Sequence, residues 1–316
     1  MNAPALGGAI AYRHLLVPVD GTDGATAVVI AAVDLALMVG ARVTFMALHN
    51  AADGANASPA RRVHVARERL SKAEAVARAQ GVPCASADAR GAVPADALPD
   101  AARDAGCDLV FVHADAGDGA APAALARAGI PALTLPAPAP VRSPAIRIVL
   151  DDHRALAAVL HAWLDLLDGA DGAPAASRMR PFVRYVETFH ALHHDPLEET
   201  LLFGRLRERT STLDAELDEL ERQHERAAQR ADALAAALDR YAAGGGLAPL
   251  ARQVTEYAQG VWEQVGREEG VILPAARRYL TGADWADVDA AFSAAAAARP
   301  CDAWADMTRA MPRRDN

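Results

Sequence analysis

Nine residues, PAPAPVRSP (136–144), divide this chain into two stretches whose apolar spacing follows different rules. Four prolines in nine residues read as an extended connector. Before it, over 13–136, short apolar runs alternate with Ala-rich helical stretches. The runs are LLVPV (15–19), VTFMAL (43–48), the stretch around Cys84, DLVFV (108–112) and ALTL (132–135), with helices at about 24–39, 59–80 and 94–105. Strand and helix in alternation predict a mostly parallel sheet covered on both faces. After the connector the strand pattern stops. Helices are expected at about 145–167, 177–209, from a cap at Ser211 or Thr212 to 241, and at 248–280, with GGG (244–246) ending the third. Four long helices joined by short turns predict an up-down four-helix bundle. The expected organisation is an α/β parallel-sheet domain over 12–136, a connector over 137–144, a four-helix bundle over 145–282, and a further helix and charged tail over 283–316.

Composition narrows the function classes. A length of 316 residues fits two domains, and a hydrophobic fraction of 52%, much of it alanine, suffices for two cores. The net charge of −9, with no Lys/Arg-rich tract, argues against nucleic-acid binding. Cys84, Cys107 and Cys301 lie far apart and match no zinc spacing, which fits a reducing, cytoplasmic setting better than a disulfide framework. The N-terminus has no basic segment leading into an apolar core, and no run of about 18 apolar residues suggests a membrane span.

The chemistry is concentrated in the helical half. Six polar residues interrupt apolar stripes: His153, His194, Glu198, His224, Gln264 and Glu268. The third helix shows this most cleanly, with His224 in the middle of Leu213, Leu217, Leu220, Ala227, Ala231, Leu234 and Leu238. In the fourth, Gln264 and Glu268 fall in the seam of Val254, Tyr257, Val261 and Val271. In the first, His153 sits among Val149, Leu156 and Leu160. His194 and Glu198 are four apart and project from one side of a helix, with His190 one turn earlier. A buried unpaired polar group costs several kcal/mol, so polar residues on four facing stripes suggest a shared partner. Imidazole and carboxylate suit iron, manganese or zinc, and two glutamates can bridge a pair of ions. Asp151, Asp152 and Glu225 are nearby candidates for the second ring nitrogen of each histidine. His161, His190 and His193 taken singly read as hydrogen-bonded core histidines.

The segments D-D-H-R (151–154), H-H-D-P-L-E-E-T-L-L-F (193–203), E-R-Q-H-E (221–225) and Q-V-G-R-E-E-G-V-I-L-P (264–274) resemble the hemerythrin-like, HHE cation-binding family over about 145–282. The resemblance implies His153, His194, Glu198, His224 and Glu268 as ligands of non-haem iron, a di-iron pair in that family's manner, and histidine where this chain has Gln264. Three alternatives follow from that glutamine. Its amide oxygen is a weak ligand beside an open position; His190 or His193 substitutes; or the site holds one metal or none. The resemblance further implies binding or sensing of O2 or NO, or iron-linked stress protection. No nucleophile–base arrangement assigns a catalytic residue, while oxidase chemistry stays open, as does a metal-free interaction scaffold.

The first half resembles universal stress proteins over about 12–136. The matching pieces are H-L-L-V-P-V-D-G-T-D-G-A (14–25), G-A-R-V-T-F-M-A-L (40–48), a turn at Gly91, A-G-C-D-L-V-F-V (105–112) and I-P-A-L-T-L-P (130–136). Nucleotide-binding members carry G-x2-G-x9-G-[ST] after the fourth strand. Here Gly117, Gly119 and Gly129 are mis-spaced, Ile130 replaces Ser/Thr, and Asp115 and Asp118 would face phosphate, so ATP is not expected. Asp20, at the carboxyl edge of the first strand, reads either as a nucleotide contact or as a cap of the following helix. The family's habit of pairing through its last strand makes a homodimer through ALTL an expectation.

Overall fold

The computed structural model describes residues 12–50, 58–87, 93–169, 172–188 and 194–299. Five strands, β1 (His14–Val19), β2 (Arg42–Ala47), β3 (Cys84–Ser86), β4 (Leu109–His113) and β5 (Ala132–Leu135), form one parallel sheet in the order β3-β2-β1-β4-β5. Strand β1 is buried along its whole length, as a parallel strand covered on both faces should be. The covering helices are α1 (Asp23–Val39), α2 (Pro59–Ala79), α3 (Leu98–Asp104) and α4 (Ala120–Ala128). Helix α4 is not among the helices expected from sequence, because Gly117 and Gly129 bracket its alanines in the manner of a loop. Gly129 is instead its C-cap, at φ 65°, a conformation glycine adopts without steric cost. The α/β core forms one apolar cluster on each face of the sheet. Strand β5 is an edge strand with Leu133 44% exposed.

Helix α5 (Pro144–Leu167) opens the second half, capped by the Ser143 side chain with Pro144 in its first turn, positions suited to each residue. The expected single helix over 177–209 is not continuous. Helix α6 (Ala176–Thr188) is followed, among the described residues, by a bend at His194 and by α7 (Asp195–Leu197), a π-helical segment Glu198–Phe203 (π1) and α8 (Gly204–Arg209). His190, His193, the Gly91 turn, Cys301 and the tail lie outside the described residues. Helix α9 (Asp214–Ala242) begins without a side-chain cap at Leu213 rather than at Ser211 or Thr212. Helix α10 (Leu247–Arg267) runs into a second π segment, Glu268–Ile272 (π2), and then α11 (Leu273–Tyr279). Helix α12 (Gly282–Ala297), started by a Thr281–Asp284 capping box, packs on α5. Among the described residues no helix is long and apolar enough to cross a membrane.

The bundle core has two apolar clusters rather than one. One contains Leu156, Leu160, Leu234, Val254, Val261 and Val265. The other contains Ile146, Val149, Leu202, Phe203, Leu220 and Ile272. On α5, α9 and α10–π2 the chain crosses from one cluster to the other at His153, His224 and Gln264–Glu268. A polar layer therefore divides the bundle.

The halves are packed together. Helix α2 covers the sheet through Ala66, Leu70 and Ala73 and meets α5 and α10 on its other side. Arg61 pairs with Asp165 at 3.0 Å and His64 with Asp168 at 2.6 Å. The Pro-rich connector thus does not separate the domains in space.

Candidate metal centre

His153, His194, Glu198 and Glu268 each turn a ligand atom to one point, all four atoms lying within 4.8 Å of one another. All four residues are buried at 1% exposure or less. His153 Nε2 is 3.0 Å from His194 Nε2 and 3.1 Å from Glu268 Oε2. The other oxygen of Glu268 is 3.1 Å from His224 Nε2, so this carboxylate spans the space between two histidine groups. Glu198 Oε2 does likewise, 3.4 Å from His194 Nε2 and 4.0 Å from His224 Nε2. Gln264, one turn before Glu268, is also buried and donates its amide N–H to Glu268 Oε1 at 3.2 Å. The arrangement is lopsided: two imidazoles on one side, one imidazole and an amide on the other.

The outer contacts orient the rings. His153 Nδ1 meets Glu269 Oε1 at 3.0 Å, His224 Nδ1 meets Glu199 Oε1 at 2.7 Å, and His194 Nδ1 meets Asp152 Oδ2 at 3.4 Å. A carboxylate on Nδ1 fixes the tautomer that presents Nε2 to the centre. Of the acceptors expected from sequence, only Asp152 serves among the described residues. Asp151 pairs with Arg154 instead. The two missed acceptors, Glu199 and Glu269, follow the inner glutamates directly. Their signal is the Glu-Glu doublet, which occurs once on each side of the site. Both doublets open a π segment, where the wider turn lets one carboxylate point inward and its neighbour reach a flanking histidine. Arg299 Nη2, beyond α12, holds Asp152 Oδ2 at 2.6 Å.

The charges of this layer depend closely on one another. Burial and the nearby Glu268 charge push the Glu198 carboxyl well above its ordinary range. Glu268 moves the opposite way: burial opposes its charge, but His153 and His224 hold it well below. Burial likewise works against charged His153 and His224, yet the flanking carboxylates hold them up at about 10 and about 11. His194 is lowered, chiefly by burial. Two carboxylates in one pocket cannot both ionise without positive charge between them. Both oxygens of Glu198 are buried without a hydrogen bond, and Glu268 Oε2 approaches His153 closely without a bonding angle. Such atoms cost several kcal/mol unless a partner satisfies them. The donor set and its unsatisfied oxygens fit one or two transition-metal ions.

Asp20 lies elsewhere, where β1 and β4 meet and connections leave in opposite directions. It does not cap α1; Thr22 does, accepting from Ala25 N. Asp20 instead accepts from Thr22 N at 3.1 Å and Thr22 Oγ1 at 2.7 Å, and pairs with His113 Nε2 at 2.9 Å. Burial opposes its charge, but these bonds hold its pKa down at about 2. The adjoining cavity, about 320 Å³, is also lined by Asp115, Asp118 and Asn50.

Comparisons with known proteins agree with this division. Residues 145–276 match the hemerythrin HHE cation binding domain, and residues 11–122 match the universal stress protein family. No curated protein matches the chain. Among solved structures, it is similar to a universal stress protein family member from Burkholderia pseudomallei, at 25% identity and TM-score 0.32, covering 41% of this chain and 100% of that one. It is also similar to a universal stress protein from Archaeoglobus fulgidus, at 22% identity and TM-score 0.33, covering 40% and 94%. The chain therefore joins a universal stress domain to a hemerythrin HHE domain.

Proposed function

We propose that this protein is a stress-response protein that binds non-haem iron in the polar layer of its bundle and reads O2, NO or iron status there. The observation that carries the reading is the convergence of His153, His194, Glu198 and Glu268 on one buried point, with carboxylate oxygens that no hydrogen bond satisfies. His153, His194 and His224 would supply nitrogen, and Glu198 and Glu268 would span the two sides. When bound, iron at such a centre supplies redox chemistry and a coordination position for a diatomic ligand. Around it this chain's residues hold the imidazoles by Glu269, Glu199 and Asp152, and the apolar clusters above and below exclude bulk water. Gln264 would be the weakest donor of the layer, so the His224 side would hold an ion less firmly than the side with two imidazoles. Among the described residues, none in the layer is arranged as a nucleophile with its base.

Binding and turnover are separable. Iron-loaded protein titrated anaerobically with NO, then O2, is expected to give saturable absorption changes that reverse on purging. Sustained consumption of NO or peroxide, without reversible binding, would overturn the sensing reading in favour of an enzyme.

A further inference from the structure

The metal layer belongs to the bundle, yet one of its outer carboxylates is held from the other domain. Glu269 turns Oε1 to His153 Nδ1, and its second oxygen is 3.9 Å from Lys72 Nζ on α2. Lys72 Nζ is also 3.1 Å from Glu68 Oε1. Glu68 Oε2 lies 3.1 Å from His161 Nε2, back on α5. A line of close side-chain contacts thus leaves α5 at His153, crosses α2 and returns to α5 two turns later.

Backbone packing sets this geometry. A Cβ on Gly266 would stand 2.5 Å from Lys72 O and 2.6 Å from Lys72 Cα, and one on Gly270 would overlap Val76 Cγ2. The absence of side chains at these two positions, one turn apart, lets α2 approach closely enough for Lys72 to reach Glu269. Asp152 takes its cation, Arg299, from within the helical half. Glu269 takes its cation across the domain boundary.

We propose that Lys72 of the universal stress domain is a positioning residue for the metal centre of the bundle, holding Glu269 and through it the ring of His153. The inference rests on the metal reading above. A carboxylate this enclosed is costly without a cation. Without the Lys72 ammonium, Glu269 would face Glu68 with no positive charge between them and turn from His153. The imidazole then loses the acceptor that fixes its tautomer. The α/β domain thereby sets how firmly the bundle holds metal, and movement of α2 is felt at His153.

The test compares Lys72→Met, which keeps the aliphatic stem but removes the charge, with Lys72→Arg and Glu269→Gln in the full-length protein. Iron(II) affinity is read by competition with a chromophoric chelator, and the spectrum of the loaded centre is recorded alongside. Lys72→Met and Glu269→Gln are each expected to weaken affinity about tenfold or more, the range for such outer partners, and to shift the spectrum. Lys72→Arg is expected to restore both. Combining Lys72→Met with Glu269→Gln should cost little beyond either alone, because they act on one contact. Wild-type affinity and spectrum in Lys72→Met, even with a lower melting temperature, would mean a purely structural lysine and overturn the proposal while leaving the metal reading intact. If Lys72→Met does not fold, unchanged affinity in Glu269→Gln overturns it equally. A wild-type protein that takes up no iron overturns both.

Discussion

At the scale of single residues, each imidazole of the layer is held by a carboxylate, Glu269 on His153, Glu199 on His224 and Asp152 on His194, and of these three only Asp152 is expected from sequence. His153, His194, Glu198, His224, Gln264 and Glu268 interrupt apolar stripes, and the structure brings all six to one buried layer. Glu199 and Glu269 are hidden because on a regular helix neighbouring residues point about 100° apart, so the second glutamate of each doublet reads as solvated. Asp20 shows a different limit: its sequence position allows cap or ligand contact, and the structure gives it Thr22 and His113 as partners. Its folded pKa of about 2 lies below the ordinary 3.8. A depressed carboxyl stabilises the fold above its unfolded pKa, and that contribution is lost as pH falls through the folded value. Asp20→Asn is therefore expected to cost about 2 kcal/mol at pH 7, since tenfold tighter proton binding in the unfolded chain is worth roughly 1.4 kcal/mol. Denaturant unfolding should show the gap to wild type unchanged from pH 7 to 5 and closing below about pH 4. A gap that widens on acidification would contradict this.

At the scale of elements, periodicity locates the long helices but not their irregularities. The expected second helix is broken at His194, and Glu198–Phe203 winds as a π segment. Neither feature carries a period of its own. Each π segment instead answers to the need to place two adjacent carboxylates. Helix α4 is hidden for the opposite reason, since its flanking glycines resemble a phosphate loop. The α2–α10 crossing gives an ordered prediction. Alanine at Gly266 would press on the Lys72 backbone, which cannot move alone, whereas alanine at Gly270 would press on the end of the Val76 side chain. Gly266→Ala is expected to destabilise by about 1–3 kcal/mol, the usual range for overpacking. Gly270→Ala should cost less, because Val76 can yield and a helical alanine regains up to about 1 kcal/mol of propensity. Thermal unfolding of the two variants checks the order; Gly270→Ala as the more damaging change would contradict the packing described.

At the scale of the whole molecule, the Pro-rich connector suggests two separate bodies. The structure packs α2 between the sheet and the bundle, pairing Arg61, His64, Glu68 and Lys72 with groups on α5 and π2. Composition alone does not reveal which face of a helix another domain will cover. This packing ties the polar layer of the bundle to the universal stress domain. The proposed sensing at the centre and its proposed support from Lys72 both depend on metal in the polar layer of the bundle. The most direct test is metal content by mass spectrometry on protein purified anaerobically, wild type beside Glu268→Leu. Iron on the order of one to two ions per wild-type chain is expected, as carboxylate-bridged bundle sites hold, with loss of that iron in the folded variant. A wild-type protein that remains metal-free after reconstitution with iron(II) would contradict it.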